Sequence, residues 1–234
     1  MIIATVVFLA TFIQGSAGFG LALVAMPVLV HFLGVPVASP LMGLIGQSAG
    51  VILVLRYRSS VEWPTVLQML AAAFCTIPIG VYLLRYADSP WAPRLLGMLI
   101  LLYALYALLT PRLPALAHPG WIFFFGAFSG LLTGAFATGG PPVVILGNCR
   151  GWTGARFKSN LQAFFLFSGL FLLATHALNR SFTAVVWRNY LFALPAVVLG
   201  LLAGFAVDPY LNPERFRIWT LLLLLGLGIS LIVV

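Results

Sequence analysis

Few residues in this chain are suited to chemistry, and they gather at two places. One is GSAGFG, residues 15–20, preceded by Gln14; the other is TGGPP, residues 138–142, within GAFSGLLTGAFATGGPPVVILGN (126–148). Glycine relaxes the backbone and lets it approach a ligand closely; proline inside a helix removes an N–H and clashes with the preceding turn. Both runs should therefore break apolar helices, at Gly15, Gly18 and Gly20 in the first and at Gly130, Gly134, Gly139, Gly140, Pro141 and Pro142 in the second. Pro27 is a further expected break. Hydrocarbon cannot satisfy the freed peptide groups, so irregular backbone at membrane depth survives only against protein or a water-filled cavity. Helix N-termini exposed at a break carry free N–H groups and the positive end of the macrodipole, which favours anions. Such half-helices should start near Leu21 and Val143.

Polar side chains near the breaks add donors. Gln14, Ser16, Thr133 and Thr138 flank the glycines, with Gln14 and Thr138 the better candidates, since small hydroxyls also bond the carbonyl four residues back. Asn160 and Gln162 open a later apolar segment, and neutral amides in lipid must face the bundle. Gln47 stands similarly alone in its span. Arg156 and Lys158 read first as loop anchors and second as an electrostatic vestibule. His31 and His176 lie near span ends, where histidine is commonly tolerated but can carry a proton. The acidic residues are Glu62, Asp88, Asp208 and Glu214, all in or beside connections. With no carboxylate inside a span, a cation pump is disfavoured.

These residues must be positioned by membrane helices. Of 234 residues 62% are hydrophobic and 7% charged, and mean hydropathy is +1.12. That composition excludes a soluble domain. The net charge of +8 could suggest nucleic acid, but the twelve Lys and Arg sit singly or in small groups between apolar segments, as orienting loop charges do. No cleavable signal peptide is expected, because the first apolar run starts at once and leads into the glycine motif. Spans are expected near Leu41–Leu55, Pro64–Leu84, Leu95–Leu109, Ser159–Leu178, Asn189–Val207 and Phe216–Val234, with polar connections at Arg85–Arg94 and Arg150–Lys158.

The two halves repeat. A shift of 124 residues brings Trp63 onto Trp187, Gly80 onto Gly204 and Tyr86 onto Tyr210, and near the start a shift of about 119 brings Gly15 onto Gly134. This predicts an N-terminal repeat over 1–110, a proline-rich linker at 111–119 and a C-terminal repeat over 120–234. Matching Gly/Pro-interrupted segments in two halves point to a transporter binding site.

GSAGFG with Pro27, GLLTGAFATGGPP, and ARFKSNLQAFF (155–165) resemble the sulfite exporter TauE/SafE family of membrane permeases along essentially the whole chain. The resemblance implies a bacterial secondary carrier of small, often sulfur-containing anions such as sulfite, sulfoacetate or related sulfonates. By position Gly15, Gly18 and Gly20 match the first family motif, and Gly134, Gly139, Gly140 and Pro141 the second. The first motif lacks the GGPP ending, so the half-sites need not be equivalent.

The sequence thus predicts an all-α polytopic membrane protein of two homologous, inverted repeats, each with a broken re-entrant or unwound helix plus three transmembrane helices. Counting bases favours the re-entrant form. Hairpins at Ile2–Leu33 and Trp121–Gly147 would gather Arg56, Arg58, Arg112, Arg150, Arg156, Lys158, Arg215 and Arg217 on one side, leaving Arg85, Arg94, Arg180 and Arg188 on the other. Positive-inside orientation then puts both termini outside the cytoplasm of a bacterial inner membrane. The expected partners are a small anionic substrate and the lipid bilayer, with homo-oligomer formation open and no nucleic acid. The expected site comprises Gln14, Gly15, Gly18, Gly20, Thr138, Gly139, Gly140, Pro141, Asn160 and Gln162. An anion channel is the alternative. An intramembrane enzyme is less favoured: Ser16, Ser129 and Ser168, which could be imagined with His176, include no GxSxG elbow. Cys75 and Cys149 have no metal-site spacing, and neither catalytic residues nor cofactors are expected.

Overall fold

The computed structural model describes residues 2–85, 91–109, 115–116 and 118–233. Tyr86, Asp88, Arg112 and most of the 111–119 linker lie outside the described residues. Two short helices, α1 (Ile2–Ala17) and α2 (Leu21–Leu33), precede three long ones, α3 (Val35–Tyr57), α4 (Trp63–Arg85) and α5 (Trp91–Leu109). The same order then recurs as α6 (Gly120–Phe136), α7 (Gly140–Cys149), α8 (Gly154–Leu178), α9 (Ala184–Val207) and α10 (Pro213–Val233). Among the described residues no strand occurs. Among the described residues six helices (α3, α4, α5, α8, α9 and α10) are long and apolar enough to cross a membrane. The other four have 16, 13, 17 and 10 residues, at most ~26 Å at 1.5 Å per residue, short of the ~30 Å hydrocarbon core. Large apolar side chains such as Phe192, Leu199 and Trp219 face outward, as lipid requires. The chain is a multi-pass, all-helical membrane protein.

Several expected breaks are not breaks. Pro27 lies inside α2, where neighbouring helices can offset its missing N–H. Pro141 and Pro142 occupy the first turn of α7, where an N–H has no helical partner to lose, so they start a helix rather than ending one. Gly130 and Gly134 sit within α6. Spaced by four from Gly126, they form one face against α4, where a Cβ at Gly134 would stand 2.1 Å from the Ile77 carbonyl and one at Gly130 2.5 Å from Ala73 Cα. Helices α1 and α9 make the corresponding seam: a Cβ at Gly204 would lie 3.1 Å from Gly15 Cα, and one at Gly200 2.5 Å from the Phe8 carbonyl. The expected polar connections are also partly helical, since Trp91–Arg94 opens α5 and Gly154–Lys158 opens α8.

Hydrogen bonds gather one set of connections at one end of the bundle. The Ser159 hydroxyl donates to the Tyr57 carbonyl, and the Glu62 N–H donates to Asn160 Oδ1 at 2.7 Å. Lys158 pairs with Asp208 at 3.7 Å, and the Arg217 guanidinium donates to the Ala107 carbonyl. The Leu116 N–H donates to the Cys149 carbonyl at 3.3 Å, and Arg150 Nη1 returns a bond to the Leu116 carbonyl at 3.2 Å. The chain therefore enters α6 and leaves α7 at the same end. Helix ends meet there in pairs: α3 ends where α8 starts, α4 starts where α9 ends, and α5 ends where α10 starts. We call this the basic end, because Arg56, Arg58, Arg150, Arg156, Lys158, Arg215 and Arg217 lie on it or in the adjoining turns.

Candidate functional site

The first helix break is built by glycine. Gly18 has φ 82° and Gly20 φ 111°, left-handed conformations that a Cβ penalises. From the last turn of α1, Gln14 reaches across the break, and its Oε1 accepts the Leu21 N–H at 3.0 Å. It thereby satisfies one of the four N–H groups that open α2 without a helical partner. The second break, Ala137–Gly139, uses different means. Ala137 takes the left-handed position, φ 53°, and donates its N–H to the Thr133 carbonyl at 2.8 Å, closing α6. Gly139 has φ −70°, so conformation does not require glycine there; space does. A Cβ would stand 2.0 Å from Thr133 Oγ1 and 2.7 Å from Ser129 Oγ, and the Ser129 hydroxyl already donates to the Gly139 carbonyl at 2.5 Å. Helix α7 starts at Gly140 rather than near Val143.

Both breaks face one cavity of about 100 Å³, closed at the sides by α3 and α8. About 10–15 Å³ suffices for one water, so several waters or a small oxyanion fit. Of the expected residues, Gln14, Gly20, Thr138, Gly139, Gly140 and Gln162 line it, and so does Thr133. The shift of 119 carries one wall onto the other: Gln14 onto Thr133, Phe19 onto Thr138, Gly20 onto Gly139, and Gly43, Gly46 and Gly50 of α3 onto Gln162, Phe165 and Gly169 of α8.

The remaining expected residues support the site from behind. Gly15 is a seam residue against Leu201 and Gly204, and a Cβ on Gly18 would meet the Lys158 stem at 3.3 Å. The Gly18 carbonyl accepts from Gln162 Nε2. Pro141 sits in the first turn of α7, and Asn160 is buried under Glu62. Ser16 bonds the Phe12 carbonyl at 3.0 Å, the backbone role that competes with ligand contact. Ser168 likewise bonds the Phe164 carbonyl.

Gln47 is the main residue missing from the expected set. Its Oε1 stands where a Cβ of Gly169 would be only 2.4 Å away, and neither amide atom has a partner. A buried unpaired amide is costly, about 1–3 kcal/mol, unless something in the cavity pairs with it. Its signal was a lone amide in a 23-residue apolar helix. Gln162 Oε1 is unpaired as well.

Among the described residues no charged side chain lines this cavity. Its polarity comes from the N-terminal ends of α2 and α7, from the N–H groups of the first α2 turn at Ala22 and Leu23, from Gly140, and from Thr138 and Gln47. Proline at 141 and 142 leaves α7 few donors, so α2 and the side chains carry most of the hydrogen bonding while both dipoles contribute potential. Neutral donors beside two positive helix ends suit a small anion.

Two further cavities flank the first. At the basic end a cavity of about 350 Å³ is lined by Lys158, Asp208, Arg217 and Tyr103, and shares Phe19 and Gly20 with the central one. At the other end a chamber of about 90 Å³ holds Ser39 and His176, and shares no lining residue with the central cavity. Among the described residues no cluster of His, Cys, Asp or Glu could hold a metal.

The family model described as sulfite exporter TauE/SafE matches residues 3–231. A probable sulfite/organosulfonate exporter TauE from Cupriavidus necator is 30% identical over 234 aligned positions, covering 94% of this chain and 89% of the relative. A probable inner membrane transporter protein TsaS from Comamonas testosteroni is 27% identical over 173 positions, 73% of this chain and 72% of that protein. No solved structure matches.

Proposed function

The chain belongs to the sulfite exporter TauE/SafE family of membrane transporters, and from that premise we propose that it is a secondary carrier exporting small sulfur-containing anions, such as sulfite, sulfoacetate or other organosulfonates, across a bacterial inner membrane. The observation that carries this reading is one cavity walled by both helix breaks, with no charged side chain among its described lining residues and with the first residues of α2 and α7 in its wall. On this reading α1–α2 and α6–α7 are opposed re-entrant hairpins meeting at the midplane, the halves are inverted repeats, and alternating access comes from one half rocking against the other. The paired helix ends at the basic end and the Leu116–Cys149 bond support it. The central cavity and the Ser39–His176 chamber share no lining residue, which supports a carrier over a channel, since a carrier is closed on one side at a time. In this conformation the site shares Phe19 and Gly20 with the cavity at the basic end, the end that the positive-inside rule makes cytoplasmic.

The test is a thermal-shift screen of the purified protein against sulfite, thiosulfate, small sulfonates and small carboxylates. A ligand at 100 times its Kd adds about 2.7 kcal/mol of apparent stability when it binds only the native state. A sulfur oxyanion should shift the melting temperature most. No shift with any anion, together with a shift from a cation or neutral solute, would overturn the proposal.

A further inference from the structure

The shift of 119 that relates the two cavity walls in sequence also relates two pairs of residues at opposite ends of the α3–α8 crossing. It carries Tyr57 onto His176 and Ser39 onto Lys158. Both pairs are in contact. At the basic end the Lys158 amine lies 5.2 Å from the centroid of the Tyr57 ring; at the other end Ser39 Oγ lies 3.4 Å from His176 Nε2. The same two helix positions therefore hold a permanent cation at one end and a conditional one at the other.

We propose that His176, paired with Ser39, is a proton-binding site that supplies the substrate anion with a countercharge at the end opposite the basic one, so that anion and proton bind together there. This rests on the carrier reading above and adds a titratable countercharge to it. His176 is 4% exposed, and its Nδ1 has no hydrogen-bond partner, so it is not a histidine merely tolerated at an interface. No charged residue is among the described residues lining its chamber; Arg180, in the turn between Asn179 and Ser181, is exposed. From α3 the one polar group lining the chamber is Ser39; α4 brings Val81, α6 brings Gly134, and the turn after α8 brings Asn179 and Ser181. Among the described lining residues His176 is the one titratable group. Among the described residues that line this chamber, an anion meets no cation unless the imidazole takes a proton. With Ser39 at Nε2, the second ring nitrogen is available to carry it, and the imidazolium then balances one negative charge in a chamber that otherwise penalises it.

Proteoliposomes test this, with exchange of isethionate as the readout, because its sulfonate stays ionised at every pH used. For the wild-type protein the apparent affinity should fall by about tenfold between pH 6 and pH 8, within the usual range for coupling between two sites. His176→Gln should still exchange isethionate, with an affinity that stays flat over the same range. The double variant H31Q/H118Q, which alters two exposed histidines, should keep the wild-type profile, and it decides the matter if His176→Gln fails to fold. A pH-independent wild type, a His176→Gln variant with the wild-type profile, or a flat H31Q/H118Q profile would each overturn the inference while leaving the carrier reading intact. If isethionate is not exchanged, radiolabelled sulfite replaces it, its own titration being common to all variants. Exchange of neither anion by the wild type would bring down the carrier reading and this inference with it.

Discussion

Gln47 carries the sharpest consequence at the scale of single residues. Its amide is buried and unpaired beside Gly169, so replacement by Leu removes an orphan polar group and should leave the ligand-free melting temperature unchanged or higher. The same change deletes a donor from the cavity. Hydrogen bonds to charged groups contribute about 1.5–3 kcal/mol, so Gln47→Leu should weaken sulfite or sulfonate binding by about tenfold or more in a thermal-shift titration. Unchanged affinity would remove Gln47 from the site. Gly139 and Gly140 separate packing from binding. A Cβ at Gly139 meets Thr133 and Ser129 below 3 Å, and Gly139→Ala should destabilise the fold by about 1–3 kcal/mol. A Cβ at Gly140 meets only Phe165, at 3.7 Å, on the cavity side. Gly140→Val should therefore reach the membrane at wild-type levels, as judged by fluorescence-detected size exclusion, and fail to transport. Wild-type transport by that variant would show that the loop does not form the site.

Helices α4 and α6 illustrate the element scale. Gly130 and Gly134 resemble breakers in the sequence, yet with Gly126 they lie inside α6 and bring its backbone against α4. Lipid supplies no hydrophobic drive between helices, so such close backbone contact is a main source of their association. Gly134→Ala would press a methyl to 2.1 Å from the Ile77 carbonyl, which cannot move without moving α4. Gly226 in α10 is the control: a Cβ added there meets nothing within 4 Å, and Ala is the better helix former by about 1 kcal/mol. Gly134→Ala should lower the melting temperature of the detergent-solubilised protein and Gly226→Ala should hold or raise it. Equal effects would mean that the α4–α6 seam does not limit stability.

At the scale of the whole molecule, the arrangement of connections determines sidedness. Ser59, Ala115 and Thr153 lie at or near the basic end, while Pro36 and Thr183 lie at the other. Single cysteines at these positions, in a background with Cys75 and Cys149 replaced by Ser, should divide cleanly in intact cells. A membrane-impermeant maleimide should label positions 36 and 183 from outside and leave 59, 115 and 153 protected. Protection of 36 with exposure of 59 would reverse the orientation; labelling of 115 but not 153 would show that α6–α7 crosses the membrane instead of returning.

The sequence by itself determined the membrane class, the six long apolar segments and the neighbourhood of both helix breaks, because these depend on local composition: apolar length decides what can cross, and clustered glycine marks where a helix can end. It also brought six of its ten expected site residues to the cavity wall. Tertiary structure decided the rest. Whether a glycine breaks a helix, as Gly18 and Gly20 do, or packs one, as Gly15 and Gly134 do, depends on the partner across the seam, which lies far away in the chain. Whether proline ends a helix or starts one depends on where the first turn falls, and α7 already begins at Gly140, just before Pro141. Gln47 could be noticed as a lone amide, but its closeness to Gly169 exists only once α3 crosses α8. The Tyr57–Lys158 and Ser39–His176 pairs arise from that same antiparallel crossing, for no local signal couples residues so widely separated in sequence.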